Sequence, residues 1–320
     1  MKKAFFVSIL FVATGVGAKP LILPTIAKPT LQQAQVLKPT TAPLQVELIS
    51  PGAQPLKPLR FKPVVDQKET ATMTVDMGMK MSAGETTIAP SKLPTTVIKM
   101  EAIVTKVDPN GDIHYSFRYT DVDVTADATL PPAVVNQIRT QIKPLAGLNG
   151  SFVVSDRGQT KSGSFVIPKD VDNRTRQMLD QMSQSLDQFS APVPDAAVGV
   201  GAKWRVAMPI TMNGIRFNQI ATYEIVSLKE GTATLRIGVE QQAKAQQLNI
   251  PGMPKGANVT LKSLSSTGQG QTLVRFDRLL PPVSNFSLTS TTEMQTVNPR
   301  SSQAMTIATE TQMKLTLESK

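Results

Sequence analysis

The 320-residue chain holds 34 Lys and Arg against 24 Asp and Glu, a formal net charge of +10, with one histidine and no cysteine. The missing cysteines exclude disulfides, thiolate metal sites, a cysteine nucleophile and a lipid-modified N-terminal cysteine. A single histidine excludes a zinc site of the usual kind.

In chain order, Lys2 and Lys3 lead into an apolar run from Ala4 and a small-residue exit, Val16-Gly17-Ala18. This is the pattern of a secretory signal peptide over residues 1–18, and it predicts export to a bacterial periplasm or the cell exterior. No later segment reaches the ~20 apolar residues that a spanning helix needs, so the mature chain is expected to carry no transmembrane segment.

Residues 19–58 follow as a Pro-rich basic tether. Prolines 20, 24, 29, 39, 43, 51, 55 and 58 remove backbone donors and fix φ, which prevents a helix or central strand from running through them. Gln45 to Leu48 reads as a strand within it. Lys19, Lys28, Lys38, Lys57, Arg60 and Lys62 face only Glu47 between residues 19 and 63, so much of the basic charge lies ahead of the folded part. A basic tail could touch anionic lipid or wall polymer, but it reads first as a solvated spacer whose charges keep it extended. The remainder has no basic stripe interleaved with aromatics, and no nucleic-acid partner is expected.

A single β-rich domain is predicted over residues 59–320. From Thr70 to Met81 the period is two, with Ala71, Met73, Val75, Met77, Met79 and Met81 on one face. A second strand, Thr95 to Val107, turns through Asp108-Pro109-Asn110-Gly111 into Ile113 to Val124, with Ile113, Tyr115, Phe117 and Tyr119 sharing a face. Pro131 and Pro132 open a helix whose stripe is Val134, Val135, Ile138 and Ile142. A hairpin, Ser151 to Ser155 and Gln159 to Ile167, precedes a second helix from Asp170 to Phe189. Strands follow at Lys203 to Met212, Ile215 to Leu228, Thr232 to Lys244, Thr260 to Ser266, Gln271 to Phe276, Asn285 to Val297 and Gln303 to Glu318.

The fold class is therefore mainly β (α+β): a large curled antiparallel sheet or half-barrel with two amphipathic helices against one face. Such a sheet either fills its concavity with side chains or leaves room for an apolar guest.

Most catalytic chemistry is absent. There is no Gly-x-Ser-x-Gly, Ser-x-x-Lys, His-Glu-x-x-His or phosphate-binding glycine loop. His114 sits on the strand face opposite Tyr115 and Phe117 and reads as a rim residue. Asp121, Asp123 and Asp127, or Asp108 with Asp112, could offer oxygens to calcium, but no glutamate closes a twelve-residue loop. No metal site and no cofactor are expected.

Methionine is the anomaly. Met73, Met77, Met79 and Met81 share a strand face, and Met100, Met178, Met182, Met208, Met212, Met294, Met305 and Met313 recur at inward positions. Thioethers form soft apolar walls suited to guests of variable shape, fill cores, or ligate Cu(I).

Leu59-Arg60-Phe61-Lys62-Pro63, Val198-Gly199-Val200-Gly201-Ala202-Lys203-Trp204 and Phe276-Asp277-Arg278-Leu279-Leu280-Pro281 resemble motifs of an uncharacterised family of secreted bacterial β-rich proteins. The resemblance implies export and a β-rich fold, and it carries no catalytic residue over. The architecture also resembles the periplasmic lipoprotein-carrier half-barrels, which hold acyl chains in a concave apolar face.

The function expected is an exported non-enzymatic protein that binds an apolar ligand, a lipid or acyl chain, in a Met-rich concave face. Its lining is predicted as Met73, Met77, Met79, Met81, Tyr115, Phe117, Met178, Met182 and Trp204. A structural or protein-binding envelope module with a filled core is the alternative, and a hydrolase with a carboxylate pair a lesser one.

Overall fold

The computed structural model describes residues 45–125, 130–168, 171, 176, 192–212, 214–248, 258–297 and 304–320. Its strands are β1 (Gln45–Ser50), β2 (Lys68–Ala83), β3 (Thr86–Lys92), β4 (Thr95–Val107), β5 (Ile113–Thr125), β6 (Asn149–Val154) and β7 (Thr160–Val166). They continue as β8 (Lys203–Met212), β9 (Ile215–Lys229), β10 (Thr232–Ala243), β11 (Gln246–Leu248), β12 (Asn258–Arg275), β13 (Val283–Val297) and β14 (Ala304–Ser319). One helix, α1 (Pro132–Ile142), runs into a 3-10 turn at Lys143–Leu145.

All the strands join one antiparallel sheet in the order β1-β8-β9-β10-β12-β13-β14-β2-β4-β5-β6-β7, with β11 beside β12 and β3 beside β2. The sheet is open, because β1 and β7 end the order and do not pair. Yet Trp204 of β8 and Val154 of β6, from opposite ends of that order, belong to the same buried core as Ala71, Val104, Leu235 and Leu317. The two wings therefore wrap the same interior.

Local chemistry sets the boundaries. Asn110-Gly111 turns β4 into β5: Gly111 takes φ 87°, a left-handed value that glycine adopts without a Cβ clash. Asp108 N–H donates to Asp112 O at 2.8 Å and closes this hairpin. Pro131 and Pro132 start α1, whose buried stripe Val135, Ile138 and Ile142 packs with Val122 and Val124 near the end of β5. The second expected helix, residues 170–189, lies outside the described residues apart from Val171 and Arg176, so among the described residues α1 is the only α-helix.

Two expectations change. Thr260 to Ser266 and Gln271 to Phe276 are one continuous strand, β12, running through Gly268 and Gly270. These glycines sit under Phe286 and Leu288; a Cβ at Gly268 would come within 2.6 Å of the Phe286 ring. β3 occupies a segment in which no strand was expected; it pairs only with β2, an edge position compatible with its Pro90.

Within the stretch expected as a tether, residues 45–57 make backbone pairs with the sheet. β1 pairs with β8 from Gln45↔Ala207 to Ser50↔Lys203. Beyond it, Ala53 N–H donates to Val200 O at 2.8 Å and Lys57 N–H to Val198 O at 2.9 Å. Phe61 N–H then reaches Asp156 O in the β6–β7 turn, and Lys62 N–H reaches Phe276 O after β12. With Leu59 and Phe61 buried, this Pro-rich stretch ties together the two wings and closes one end of the bent sheet.

Candidate functional site

Strand pairing sorts the inward side chains into transverse rows, since residues opposite each other across an antiparallel pair point to the same face. Near the closed end, one row runs Val75, Leu315, Phe286, Gly270, Ile237, Tyr223 and Trp204. The next runs Met77, Met313, Leu288, Gly268, Val239, Ala221 and Val206. These rows are largely packed: Leu315, Tyr223, Trp204, Met313 and Val206 are buried in the main core.

The following row changes character: Met79, Thr311, Ser290, Ser266, Gln241, Gln219 and Met208. Ser266 Oγ–H donates to Ser290 Oγ at 2.9 Å, Gln241 Nε2–H to Gln219 Oε1 at 2.7 Å, and Gln219 Nε2–H to the Met208 thioether at 3.7 Å. The next row is mixed, with Met81, Leu264 and Ala243 beside the hydroxyls of Thr309 and Thr292, and the one after it is apolar, with Ala83, Ile307, Met294 and Leu261. A band of hydroxyls and amides thus crosses a largely apolar concave face. By strand parity no ionisable side chain stands in it.

The nine residues expected to line the site separate into different environments. Met73 and Trp204 are core residues: Trp204 is 1% exposed, stacks on Tyr223 at 5.3 Å between ring centroids, and donates its indole N–H to Pro192 O. Tyr115 and Phe117 are half-buried and pack with Phe152 at 5.6 and 5.8 Å. They stand beside Val104 and Ala102, and Ala102 faces Glu69 on β2. Glu69 and Met79 are ten positions apart on one strand, roughly 33 Å at the strand rise. Met77 packs partly on the core, whereas Met79 and Met81 are half-buried outside it. Met178 and Met182 lie outside the described residues.

Titratable groups sort into pairs. His114 Nε2 and Asp108 Oδ2 are 2.6 Å apart, and Lys106 Nζ lies 2.6 Å from Asp108 Oδ1. The Lys106 and His114 hydrogen bonds hold the Asp108 carboxyl below the usual range. Lys143 and Lys99 lower Asp121, and Arg139 lowers Asp123, with both Arg139 and Lys143 belonging to the α1 region. Lys161 takes Asp112 at 2.6 Å. The oxygens that Asp108, Asp112, Asp121 and Asp123 could offer to calcium are therefore engaged by cations, and Asp127 lies outside the described residues. Among the described residues no three His, Asp or Glu converge on one point.

One buried charge was missed in the sequence. Glu69, 2% exposed, precedes Ala71 and Met73 on the inward face of β2 and accepts from Leu279 N–H at 2.7 Å and Leu280 N–H at 2.8 Å. Gln67 Nε2–H adds a bond at 2.8 Å, and Arg278 Nε lies 3.5 Å away. Burial pushes the Glu69 carboxyl up, against the opposing pull of these donors. Its role is to pin the β12–β13 turn to β2. A carboxylate two places before an apolar alternation was the available signal.

No family model matches the chain, and no curated protein matches it.

Proposed function

We propose that the protein is an exported, non-enzymatic binder of a neutral amphiphile, held against the Met79–Met81 end of the concave face of a half-barrel. The observation that carries this reading is the uncharged band of Ser266, Ser290, Thr311, Gln241 and Gln219 between more apolar rows. A guest with apolar parts and a central ester, amide or hydroxyl group would match both surfaces. A carboxylate or ammonium at that height would lose its hydration with no counter-charge to replace it. Thioethers at Met79, Met81 and Met294 supply walls that adapt to chains of different shape.

The test is displacement of the apolar fluorophore N-phenylnaphthylamine by monooleoylglycerol. Wild-type protein should bind the probe and release it to the lipid. Met79→Asp and Met81→Asp should weaken binding by about tenfold or more. Thr267→Asp, on the opposite face of β12, should leave it unchanged. Equal binding by all of these variants would overturn the reading.

The packed rows around Trp204 and Leu315 favour a second reading, a structural or protein-binding envelope module. It predicts no probe binding at all.

A further inference from the structure

The outward face of the same sheet carries a depression of about 770 Å³ over β8, β9, β10, β12, β13 and β14. It falls within the size range of ligand sites. Two transverse rows build it. The first runs Lys203, Glu224, Arg236, Gln271, Asn285 and Thr316; the second includes Thr222, Gly238, Gln269, Ser287 and Lys314. Gly238 lies within the second row, and a Cβ built there meets nothing within 4 Å. The hollow is therefore empty space above a glycine, framed by longer side chains.

Its chemistry differs from that of the concave face. Gln269, Gln271 and Asn285 each present a donor and an acceptor from adjacent strands, and all three are exposed. The framing cations are Lys203, Arg236 and Lys314, against the carboxylates of Glu224 and of Asp76, which stands opposite Lys314 on β2. Glu224 is already shared between Arg236 at 2.8 Å and Lys203 at 3.7 Å. The outward side chains of the two rows include no aromatic ring, which leaves nothing for a base to stack on.

We propose that this depression is a second binding site, for an acidic glycan. A hydroxyl-rich chain supplies donors and acceptors together, which the mixed amide grid needs. Its carboxylate or sulfate groups answer the excess of cations, with Lys314 the cation furthest from Glu224 along the rows. This proposal stands independently of the apolar site, which lies on the other face.

The test is binding of polygalacturonate to the full chain by calorimetry, with dextran, polyglutamate and polyuridylate as comparisons. Polygalacturonate should bind, more weakly as salt rises, and dextran should bind less. Gly238→Leu fills the hollow without changing charge, and Lys314→Gln removes one cation while leaving the grid. Each should weaken polygalacturonate binding by about tenfold or more. Polyglutamate or polyuridylate binding as tightly as polygalacturonate would overturn the assignment, as would unchanged binding by Lys314→Gln. An unaltered affinity in a folded Gly238→Leu protein would overturn the depression as the site.

Discussion

Glu69 concentrates much of the risk in this fold in one side chain. A buried carboxylate that accepts two backbone N–H groups cannot be removed without stranding them, together with the Arg278 guanidinium. Glu69→Ala should cost about 3–5 kcal/mol of unfolding free energy, read as a lowered urea midpoint. Glu69→Leu should be no milder, since a matching shape still supplies no acceptor. The pH dependence separates two kinds of acid. Glu69 titrates above its unfolded value, so its contribution is fully present below about pH 4 and declines as pH rises through the folded value. Asp108, Asp121 and Asp123 are held low, so their contributions are present above about pH 4 and lost as pH falls through their folded values. Urea midpoints from pH 8 to pH 3 should therefore rise slightly and then fall, and Glu69→Gln should flatten the upper limb only.

At the scale of elements, pairing decides what each strand contributes. β1 caps the free edge of β8, and the stretch after it fastens both wings through Val200, Val198, Asp156 and Phe276. Deleting residues 45–62 should therefore destabilise the whole domain, whereas a dispensable tether would leave the thermal midpoint unchanged. Much of this level was legible in the sequence. Alternation in β2 and β5, Asn-Gly between β4 and β5, and the Pro pair before α1 are local signals, and each element stands where its signal lies. What was illegible depended on distant partners. Gly268 and Gly270 look like a break until Phe286 and Leu288 lie over them, and Pro90 looks prohibitive until β3 pairs on one side only. Likewise the hydroxyls of Ser266, Ser290 and Thr311 form a band only after three separate strands are set in register.

At the scale of the molecule, one sheet presents two chemistries. Its concave side is packed at the end closed by the Leu59–Phe61 segment and becomes half-buried and thioether-rich toward Met79 and Met81. Its outward side is charged and amide-rich. Parity explains why the expected lining divided: Met73 and Trp204 share the Met-bearing face but stand in buried rows, and position along a strand, unlike face, is not written in a period of two. The proposed function requires a removable guest at the Met79–Met81 end. The decisive experiment is native mass spectrometry of the protein purified from its own host cell, paired with lipid extraction. Wild-type protein should carry a stoichiometric adduct of a neutral amphiphile that is absent from Met79→Asp. A folded wild-type protein with a bare mass and a lipid-free extract would contradict it.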